Sequence, residues 1–200
     1  MQVNKDEERS FTASARRAQI VRAAIETVAE LGFPAASFAR IAERAGLSST
    51  RLISYHFAGK SELVAAMVIE VVSALGQFVG ERVRSEATPG GALRGYLAAN
   101  IEFTAAHRCE MKALLAIFTS GNFSFDAMQQ VDVLAPLESM LRAGQASGDF
   151  RSFDVTVMAS VVQRCIEGLP FLLESHPHLD PGSYAAEITA LFDLATRRAP

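Results

Sequence analysis

The apolar residues between positions 38 and 60 recur at helical spacing on both sides of a glycine. Upstream of Gly46 they predict a half-buried helix over residues 37–45. Gly46 has the backbone freedom to end this helix in or near the left-handed region. The apolar residues at positions i, i+3, i+4 and i+7 of the predicted helix are Phe38, Ile41, Ala42 and Ala45.

A second short helix is predicted from the turn to about residue 56. Ser48 or Ser49 is the expected N-cap, because a hydroxyl there accepts an unpaired amide of the first turn. We expect this helix to bury Leu52 and one of Tyr55 or His56. Such a pair of helices is either a structural hairpin or a helix-turn-helix, which presents its second helix to the major groove of DNA.

The polar residues of the second helix favour the DNA-binding alternative. Arginine can form a bidentate pair with guanine, and serine or threonine can bond bases or phosphates. Lys60 follows the helix, within reach of a phosphate. The polar face and front of the helix consist of Ser48, Ser49, Thr50, Arg51 and Ser54.

Several short motifs follow one another in order between residues 16 and 63. A long first helix ends in Leu31-Gly32-Phe33, and Ser37 stands at a helix-capping position. The motifs Ile41-Ala42-x-x-Ala45-Gly46-Leu47-Ser48 and Tyr55-His56-Phe57-x-x-Lys60-x-x-Leu63 come next. Together this segment, about a quarter of the chain, resembles the DNA-binding domain of the TetR family of bacterial regulators.

The segment departs from the family pattern by one residue. The family usually has eight steps from the turn serine to the hallmark phenylalanine, whereas Ser48 to Phe57 is nine and Ser49 to Phe57 is eight. The extra residue lies either in the turn or inside the second helix. The resemblance and the polar pattern together nominate these DNA-binding residues: Arg16, Arg17, Ser37, Arg40, Ser48, Ser49, Thr50, Arg51, Ser54, Tyr55, His56 and Lys60.

The rest of the chain is also predicted to be helical, with no alternation typical of strands. We predict an all-α fold of about nine helices, in which a three-helix DNA-binding domain precedes a helical effector-binding and dimerisation domain. Its parts are a flexible tail over 1–12, the DNA-binding domain over 13–60 and the second domain over 61–200, with a linking helix over 61–84. The later helices are predicted at about 92–106, 109–120, 126–147, 153–175 and 182–198.

Charge is distributed unevenly along the chain. Residues 1–60 hold nine Lys or Arg and six Asp or Glu, whereas residues 61–200 hold ten and sixteen, within a total net charge of −3. A basic end on an acidic chain fits a local nucleic-acid footprint. Ordinary surface charge explains a difference of this size as well.

Two features of the second domain suggest binding surfaces. Flexible Met and flat Phe side chains suit an adaptable pocket, and the resemblance implies a small effector there, which we expect to be apolar or aromatic. Plain core packing is the alternative for the apolar residues, and a surface position or a salt bridge is the alternative for Arg164. The candidate ligand-binding residues are Phe103, Met111, Leu115, Phe118, Phe123, Met128, Met140 and Arg164.

The last two predicted helices are apolar over a wide arc, so each needs a second partner besides the core. A second copy of the chain would supply it, giving a twofold four-helix interface. A homodimer also suits palindromic DNA, since two reading helices then meet two half-sites. The candidate dimer residues are Met158, Val162, Cys165, Leu169, Ile188 and Phe192.

Other function classes find little support in the sequence. His107-x-Cys109 and His176-x-His178 lack further partners at zinc spacing, and neither a Gly-x-Ser-x-Gly elbow nor a Gly-rich phosphate loop is present. No cofactor or metal is therefore expected, nor a membrane segment, because the apolar run 63–69 is too short. The sequence predicts a cytoplasmic, non-enzymatic, homodimeric DNA-binding regulator, and the resemblance implies that it acts as a repressor. The alternatives are a helical small-molecule sensor that has lost DNA binding and a helical enzyme with a buried apolar site.

Overall fold

The computed structural model describes residues 3–121 and 134–198, with side chains from residue 12 onward. Within these ranges the chain is all-helical, which confirms the predicted fold class. An isolated antiparallel bridge joins Phe150 to Arg197. The ten helices of the described residues are α1 (Val3–Leu31), α2 (Phe38–Arg44), α3 (Arg51–His56), α4 (Lys60–Arg84), α5 (Pro89–Ala106), α6 (Arg108–Thr119), α7 (Ala135–Ser147), α8 (Val155–Glu167), α9 (Leu169–Ser175) and α10 (Pro181–Thr196).

Helix α1 is longer than predicted. It begins at Val3, so most of the expected flexible tail over residues 1–12 is helical. Lys, Glu and Arg have good helix propensity, and the acids Asp6, Glu7 and Glu8 lie close to the N-terminus, where the helix dipole favours negative charge. The polar composition that indicated a tail is therefore compatible with a helix.

The helix predicted over residues 153–175 is divided into α8 and α9. Pro170 lies in the first turn of α9 and has no amide hydrogen to donate to the carbonyl four residues earlier. The break at Gly168 follows from this missing bond. The first residues of the helix predicted over 126–147 lie outside the described residues, and α7 begins at Ala135.

The chain divides into two compact units. The first comprises the described residues up to 72 and α6 from Cys109 onward, and the second comprises residues 73–108 with the described residues from 134 onward. The boundary therefore falls inside α4, whereas the sequence placed it before residue 61. α6, expected in the second domain, belongs to the first unit.

The first unit is built on the apolar face of α1. Helical spacing puts Ile20, Ala24, Val28 and Leu31 on one face of α1, and the first three are buried, whereas Leu31 is 41% exposed at the helix end. α1 contacts both α2 and α3. The other buried apolar residues of this unit include Val21, Ile25, Phe33, Ile41, Ala42, Ile53, Phe57, Leu63, Met67, Val71, Ala113, Leu114 and Ile117.

The second unit is organised around α5, which contacts α7, α8, α9 and α10. Phe150 is buried against the backbone of Gly144, where any β-carbon would collide with the phenyl ring. Gly148 ends α7 at a φ of +83°, and the Phe150 amide donates to the Gly144 carbonyl at 2.9 Å. The buried cluster consists of Leu93, Leu97, Ile101, Leu137, Leu141, Phe150, Ala159, Val162, Ile166, Leu169, Leu173, Ile188 and Phe192.

Three helices of this unit begin with side-chain caps. Thr88 accepts the Gly91 amide at 3.0 Å, and Asp154 accepts the Val157 amide at 2.9 Å. Asp180 accepts the amide and hydroxyl of Ser183 at 2.9 and 2.8 Å. The hydrogen bonds from the Ser183 hydroxyl and amide lower the pKa of Asp180 below its usual value, because they favour the charged carboxylate.

Two helical segments of the described residues, Lys60–Arg84 and Val155–Ser175, are long and apolar enough to cross a membrane by length and composition alone. The run 63–69 by itself predicted no such segment. Core helices of soluble proteins meet the same criterion, and both segments contribute buried residues such as Met67 and Val162 to the protein interior.

Gly46 provides a test of the turn between α2 and α3. A β-carbon there would touch nothing within 4 Å, but the φ of +64° disfavours any residue except glycine. We expect Gly46→Ala to lower the free energy of unfolding by about 1 kcal/mol. Gly76→Ala is the matched control, because its β-carbon also meets open space but lies in the α4 helix. It should stabilise the protein by about 0.5–1 kcal/mol. Urea denaturation measures both, and equal effects would contradict the assignment of strain to Gly46.

Candidate nucleic-acid interface

The turn after α2 is a Schellman motif, in which successive amides return to carbonyls of the last helical turn. The Gly46 amide donates to the Glu43 carbonyl at 3.0 Å, and the Leu47 amide donates to the Ala42 carbonyl at 2.8 Å. Gly46 has the positive φ that this motif requires. The structure thus confirms the predicted helix end, and it directs the chain toward α3.

Helix α3 begins at Arg51, later than the sequence suggested. Thr50 is the cap residue, while the Ser49 hydroxyl accepts the Arg51 amide at 3.1 Å. The amides of Ser54 and Phe57 donate to the carbonyls four residues earlier, as in a regular α-helix. The extra residue therefore lies in the turn, and α3 contains no bulge.

α3 buries a different face from the predicted one. Ile53 is fully buried and Phe57 is 1% exposed, whereas Leu52 and His56 are only half-buried. Tyr55 is 82% exposed, with its ring edge-on to His56 at 5.1 Å between centroids. The later start of α3 rotates the apolar face from Leu52 toward Ile53. The outward face presents Arg51, Ser54 and Tyr55, preceded by the exposed turn residues Ser48, Ser49 and Thr50.

α1 holds the end of α2 through a side chain that sequence reasoning missed. The side-chain nitrogen Nε2 of Gln19 donates to the Ala45 carbonyl at 2.7 Å, and Arg16 donates to the side-chain oxygen Oε1 of Gln19 at 2.7 Å. Arg44, in the last turn of α2, pairs with Glu26 at 3.6 Å and also with Glu30. Gln19 is an exposed residue next to buried Ile20. Nothing in the sequence pattern distinguishes it from other polar residues of α1, so its contact with Ala45 could not be predicted.

Arg17 holds the end of α3. Its guanidinium donates to the His56 carbonyl, pairs with Glu62 Oε1 at 3.0 Å and lies 4.1 Å from the centroid of the Phe57 ring. The second carboxylate oxygen, Glu62 Oε2, accepts the Ala58 amide at 2.7 Å. Arg17 was nominated for DNA, but in this structure its contacts are within the chain.

Lys60, at the start of α4, also has partners within the chain. Its ammonium donates to the Phe33 carbonyl at 3.3 Å and lies 4.3 Å from the centroid of the Phe33 ring. The side chain remains exposed at the surface. An ammonium has three donors, so this contact leaves donors for a phosphate.

The remaining nominated residues lie at the start of α2. The Ser37 hydroxyl caps this helix by accepting the Arg40 amide at 3.4 Å, as the sequence predicted. The Arg40 guanidinium donates to the Ala35 carbonyl at 3.1 Å. Ser37 and Arg40 are both exposed. Their roles toward DNA stay predictions.

The helix pair and its flanking helices match a family model. Residues 20–67 match the model described as "Bacterial regulatory proteins, tetR family". Over these residues the chain matches the TetR family. The match covers the C-terminal part of α1, all of α2 and α3, and the first turns of α4.

Relatives and solved structures extend the likeness. The HTH-type transcriptional regulator BetI of Pectobacterium carotovorum is 33% identical over 121 residues, covering 58% of this chain and 62% of BetI. The chain spans about half the length of the other curated relatives it matches, such as BetI 1 of Chromohalobacter salexigens. A bacterial regulatory protein in the tetR family from Rhodococcus RHA1 has the same fold, with a TM-score of 0.78 and 20% identity over 92% of this chain and 98% of its own. The regulator FadR from Bacillus subtilis in complex with stearoyl-CoA gives a TM-score of 0.73 and 19% identity over 87% of this chain and 96% of its own.

The nominated effector residues fall in both units. Met111, Leu115 and Phe118 lie half-buried on α6 in the first unit. In the second unit Phe103 is buried, with its ring stacked on His107 at 4.0 Å, and Met140 packs against the core cluster. Phe123 and Met128 lie outside the described residues.

Arg164 does not line a buried site, contrary to its nomination. Its side chain is 78% exposed and pairs with Glu167 at 2.8 Å, three residues along α8. The alternative considered for this residue, a surface salt bridge, is the observed one.

α5 carries buried polar groups that sequence reasoning missed. Asn100 is 5% exposed and donates to the Tyr96 carbonyl at 2.8 Å. The Tyr96 hydroxyl donates to Gln163 at 3.0 Å, and burial raises the pKa of Tyr96 to about 12. These groups give the interior of the second unit a polar strip within an apolar core.

The nominated dimer residues need correction. Val162, Leu169, Ile188 and Phe192 are buried in the core of the second unit, so they are not surface residues. Met158 and Cys165 are only partly exposed. The sequence correctly identified helices with two apolar faces. It assigned to the dimer interface the face that packs in the core of the second unit. The large apolar side chains that these helices expose are Val157, Val161, Phe171, Leu191 and Leu194.

Glu62 gives a pH-dependent prediction. The Ala58 amide, and next the Arg17 hydrogen bond, lower the pKa of Glu62 below 4.5. A carboxyl whose pKa is lower in the folded state stabilises the protein above its unfolded pKa and loses this contribution as the pH falls through the folded pKa. We expect Glu62→Gln to lower Tm at pH 7 and the difference from wild type to shrink below about pH 4.5. Thermal melts across this range measure it, and a difference independent of pH would contradict the role of the carboxylate.

Proposed function

We propose that this TetR-family chain is a sequence-specific DNA-binding regulator of transcription. It acts as a homodimer in the cytoplasm, binds a palindromic operator as a repressor, and is released by a small apolar or aromatic effector. The observation that carries the proposal is the outward face of α3. A short helix held at both ends exposes an arginine, a serine and a tyrosine, while its apolar residues are buried.

The chemistry of α3 suits the major groove. Arg51 can form a bidentate pair with guanine, and Ser54 can bond a base or a phosphate. Tyr55, at 82% exposure, offers a hydroxyl and a ring surface to the DNA. Ser48, Ser49 and Thr50 precede α3 as exposed hydroxyls within reach of the same strand, and Lys60 offers a positive charge to a phosphate.

A homodimer is supported by the exposed apolar side chains of the second unit. Val157 and Val161 are one turn apart on α8, and Leu191 and Leu194 are neighbours on α10. The Tyr184 hydroxyl of α10 donates to the Cys165 carbonyl of α8 at 2.7 Å, which ties the two helices together. Packing these helices against a second copy would bury their apolar surface and provide two α3 helices for a palindrome.

The effector part of the proposal is supported by fold and composition. FadR, which has the same fold, was crystallised with stearoyl-CoA, and the residues Phe103, Met111, Leu115, Phe118 and Met140 remain candidates for apolar contacts. An effector that prefers one position of α4 would shift the population toward that state. Because α4 follows α3 after three residues, its position bears directly on the reading helices.

A sensor that lacks DNA binding is the second candidate, and the extra residue was its main support. That residue lies in the turn, where it leaves the hydrogen bonding of α3 regular. The sensor is therefore less favoured than it was from the sequence.

Selection of random duplex DNA by the purified protein tests the proposal. The expected result at a stated, near-physiological salt concentration is an inverted repeat with half-sites about one helical turn apart or a multiple of it. In the same assay Arg51→Ala should lose about 1–3 kcal/mol on the selected operator and relax one base position per half-site. Lys60→Ala is the comparison, because loss of a phosphate contact weakens all duplexes alike. Recovery of no preferred sequence by the wild type would favour the sensor instead.

The interface is tested by one charge on the exposed face. Leu194→Glu would place an unpaired carboxylate in an apolar contact, so we expect a monomer near 21.5 kDa by light scattering, with operator binding reduced. Ile69→Glu is the matched control, because Ile69 is 64% exposed and Leu194 is 61% exposed, but Ile69 lies on α4. It should keep the mass of the wild type. A dimer unaffected by Leu194→Glu would place the interface elsewhere.

A further inference from the structure

We propose that Arg17 and Glu62 form a positioning node that holds the reading helix α3 in register for DNA without contacting DNA. The node consists of the Arg17 guanidinium, the Glu62 carboxylate, the His56 carbonyl and the Ala58 amide. This inference rests on the proposed function. It assigns Arg17 a role different from the direct DNA contact for which the sequence nominated it.

The guanidinium joins three helices at one point. Arg17 belongs to α1, the His56 carbonyl is at the last residue of α3, and Glu62 is in the first turn of α4. The planar group also lies 4.1 Å from the centroid of the Phe57 ring, which is buried directly after α3. A planar fork can satisfy a carbonyl, a carboxylate and a ring at once, whereas an ammonium is a point charge.

The carboxylate completes the node. Glu62 Oε1 accepts from Arg17 at 3.0 Å, and Glu62 Oε2 accepts the Ala58 amide at 2.7 Å. Ala58, in the three-residue link between α3 and α4, is thus bonded to the first turn of the helix that follows it. A displacement of the start of α4 would be transmitted to the end of α3 through these bonds.

α3 depends on such contacts because it has six residues. An isolated helix of this length does not form in water. Its orientation is therefore set by Ile53 and Phe57 in the core and by what holds its C-terminal carbonyls. The positive guanidinium at this end also interacts favourably with the helix dipole.

The charge balance argues against a phosphate contact for Arg17. The carboxylate 3.0 Å away offsets the attraction between the guanidinium and a phosphate, and would itself repel that phosphate. Arg51 has no such acid beside it among the described contacts. The pair thus serves the geometry of α3 better than the affinity for the DNA backbone.

Glu62→Gln separates positioning from simple electrostatics. Removing a negative charge near DNA should strengthen binding if charge alone matters. If the node positions α3, the same change should weaken binding to the selected operator about tenfold and leave a random duplex unaffected. Glu70→Gln removes the same charge from an exposed position two turns along α4 and is the control.

Arg17 variants give a second readout. Arg17→Ala should weaken operator binding without changing the slope of log K against log salt, and Arg17→Lys should not restore it. Arg17→Ala combined with Glu62→Gln should lose no more than either single variant, because both remove the same unit. Binding is measured well below the Tm of each variant, so that unfolding does not contribute.

Amide hydrogen exchange of the free protein tests the node without DNA. We expect faster exchange at Ser54 to Phe57 in Glu62→Gln, and no change there in Glu70→Gln. A slope reduced by about one in Arg17→Ala, with rescue by lysine, would make Arg17 a phosphate contact and overturn the proposal. Tighter operator binding by Glu62→Gln would also overturn it.

The wild-type control distinguishes the two proposals. Wild-type protein that selects no sequence overturns the proposed function and the node with it. Selective wild-type binding with unaffected node variants overturns the node alone.

Discussion

The helix-turn-helix of this protein depends on hydrogen bonds from α1 to the carbonyl ends of two short helices. Gln19 donates to Ala45 at the end of α2, and Arg17 donates to His56 at the end of α3. Helices of seven and six residues cannot persist by themselves. α1 therefore holds the C-terminal ends of α2 and α3 through two side chains, Gln19 and Arg17, that are two residues apart. The exposed residues of α3 owe their positions to this support.

Several basic side chains of the first unit make contacts within the chain. Arg17, Arg44 and Lys60 each contact a carbonyl or a carboxylate within the chain. A count of basic residues thus overstates the charge that DNA would meet. Arg51 differs from them because its side chain is exposed on α3, the helix proposed to read DNA. This difference in local partners separates Arg51, a proposed base reader, from basic residues that are proposed to hold α3 in place.

In the second unit, several apolar helices pack around the central helix α5. α5 contacts four other helices, and its buried Asn100 donates to the Tyr96 carbonyl one turn earlier. α8 and α10 contribute one apolar face to this core and leave large apolar side chains exposed on another. The two faces of these helices have separate uses, which a sequence pattern does not distinguish. In the core, Gly144 admits the Phe150 ring because it has no side chain.

The sequence by itself determined the helical fold class, the glycine turn at position 46 and the capping role of Ser37. These features follow from local chemistry, namely helical periodicity, backbone freedom and a hydroxyl at a helix start. It did not determine the start of α3, where Ile53 rather than Leu52 is buried, because a one-residue change in a turn rotates the following helix. Nor did it reveal the break that Pro170 causes or the inward direction of Val162 and Phe192. The partners of Gln19, Arg17 and Glu62 were decided only by tertiary structure, since they join residues up to 45 positions apart. Interactions between distant segments leave no periodic pattern in the chain, and here they place the residues on which the proposed function depends.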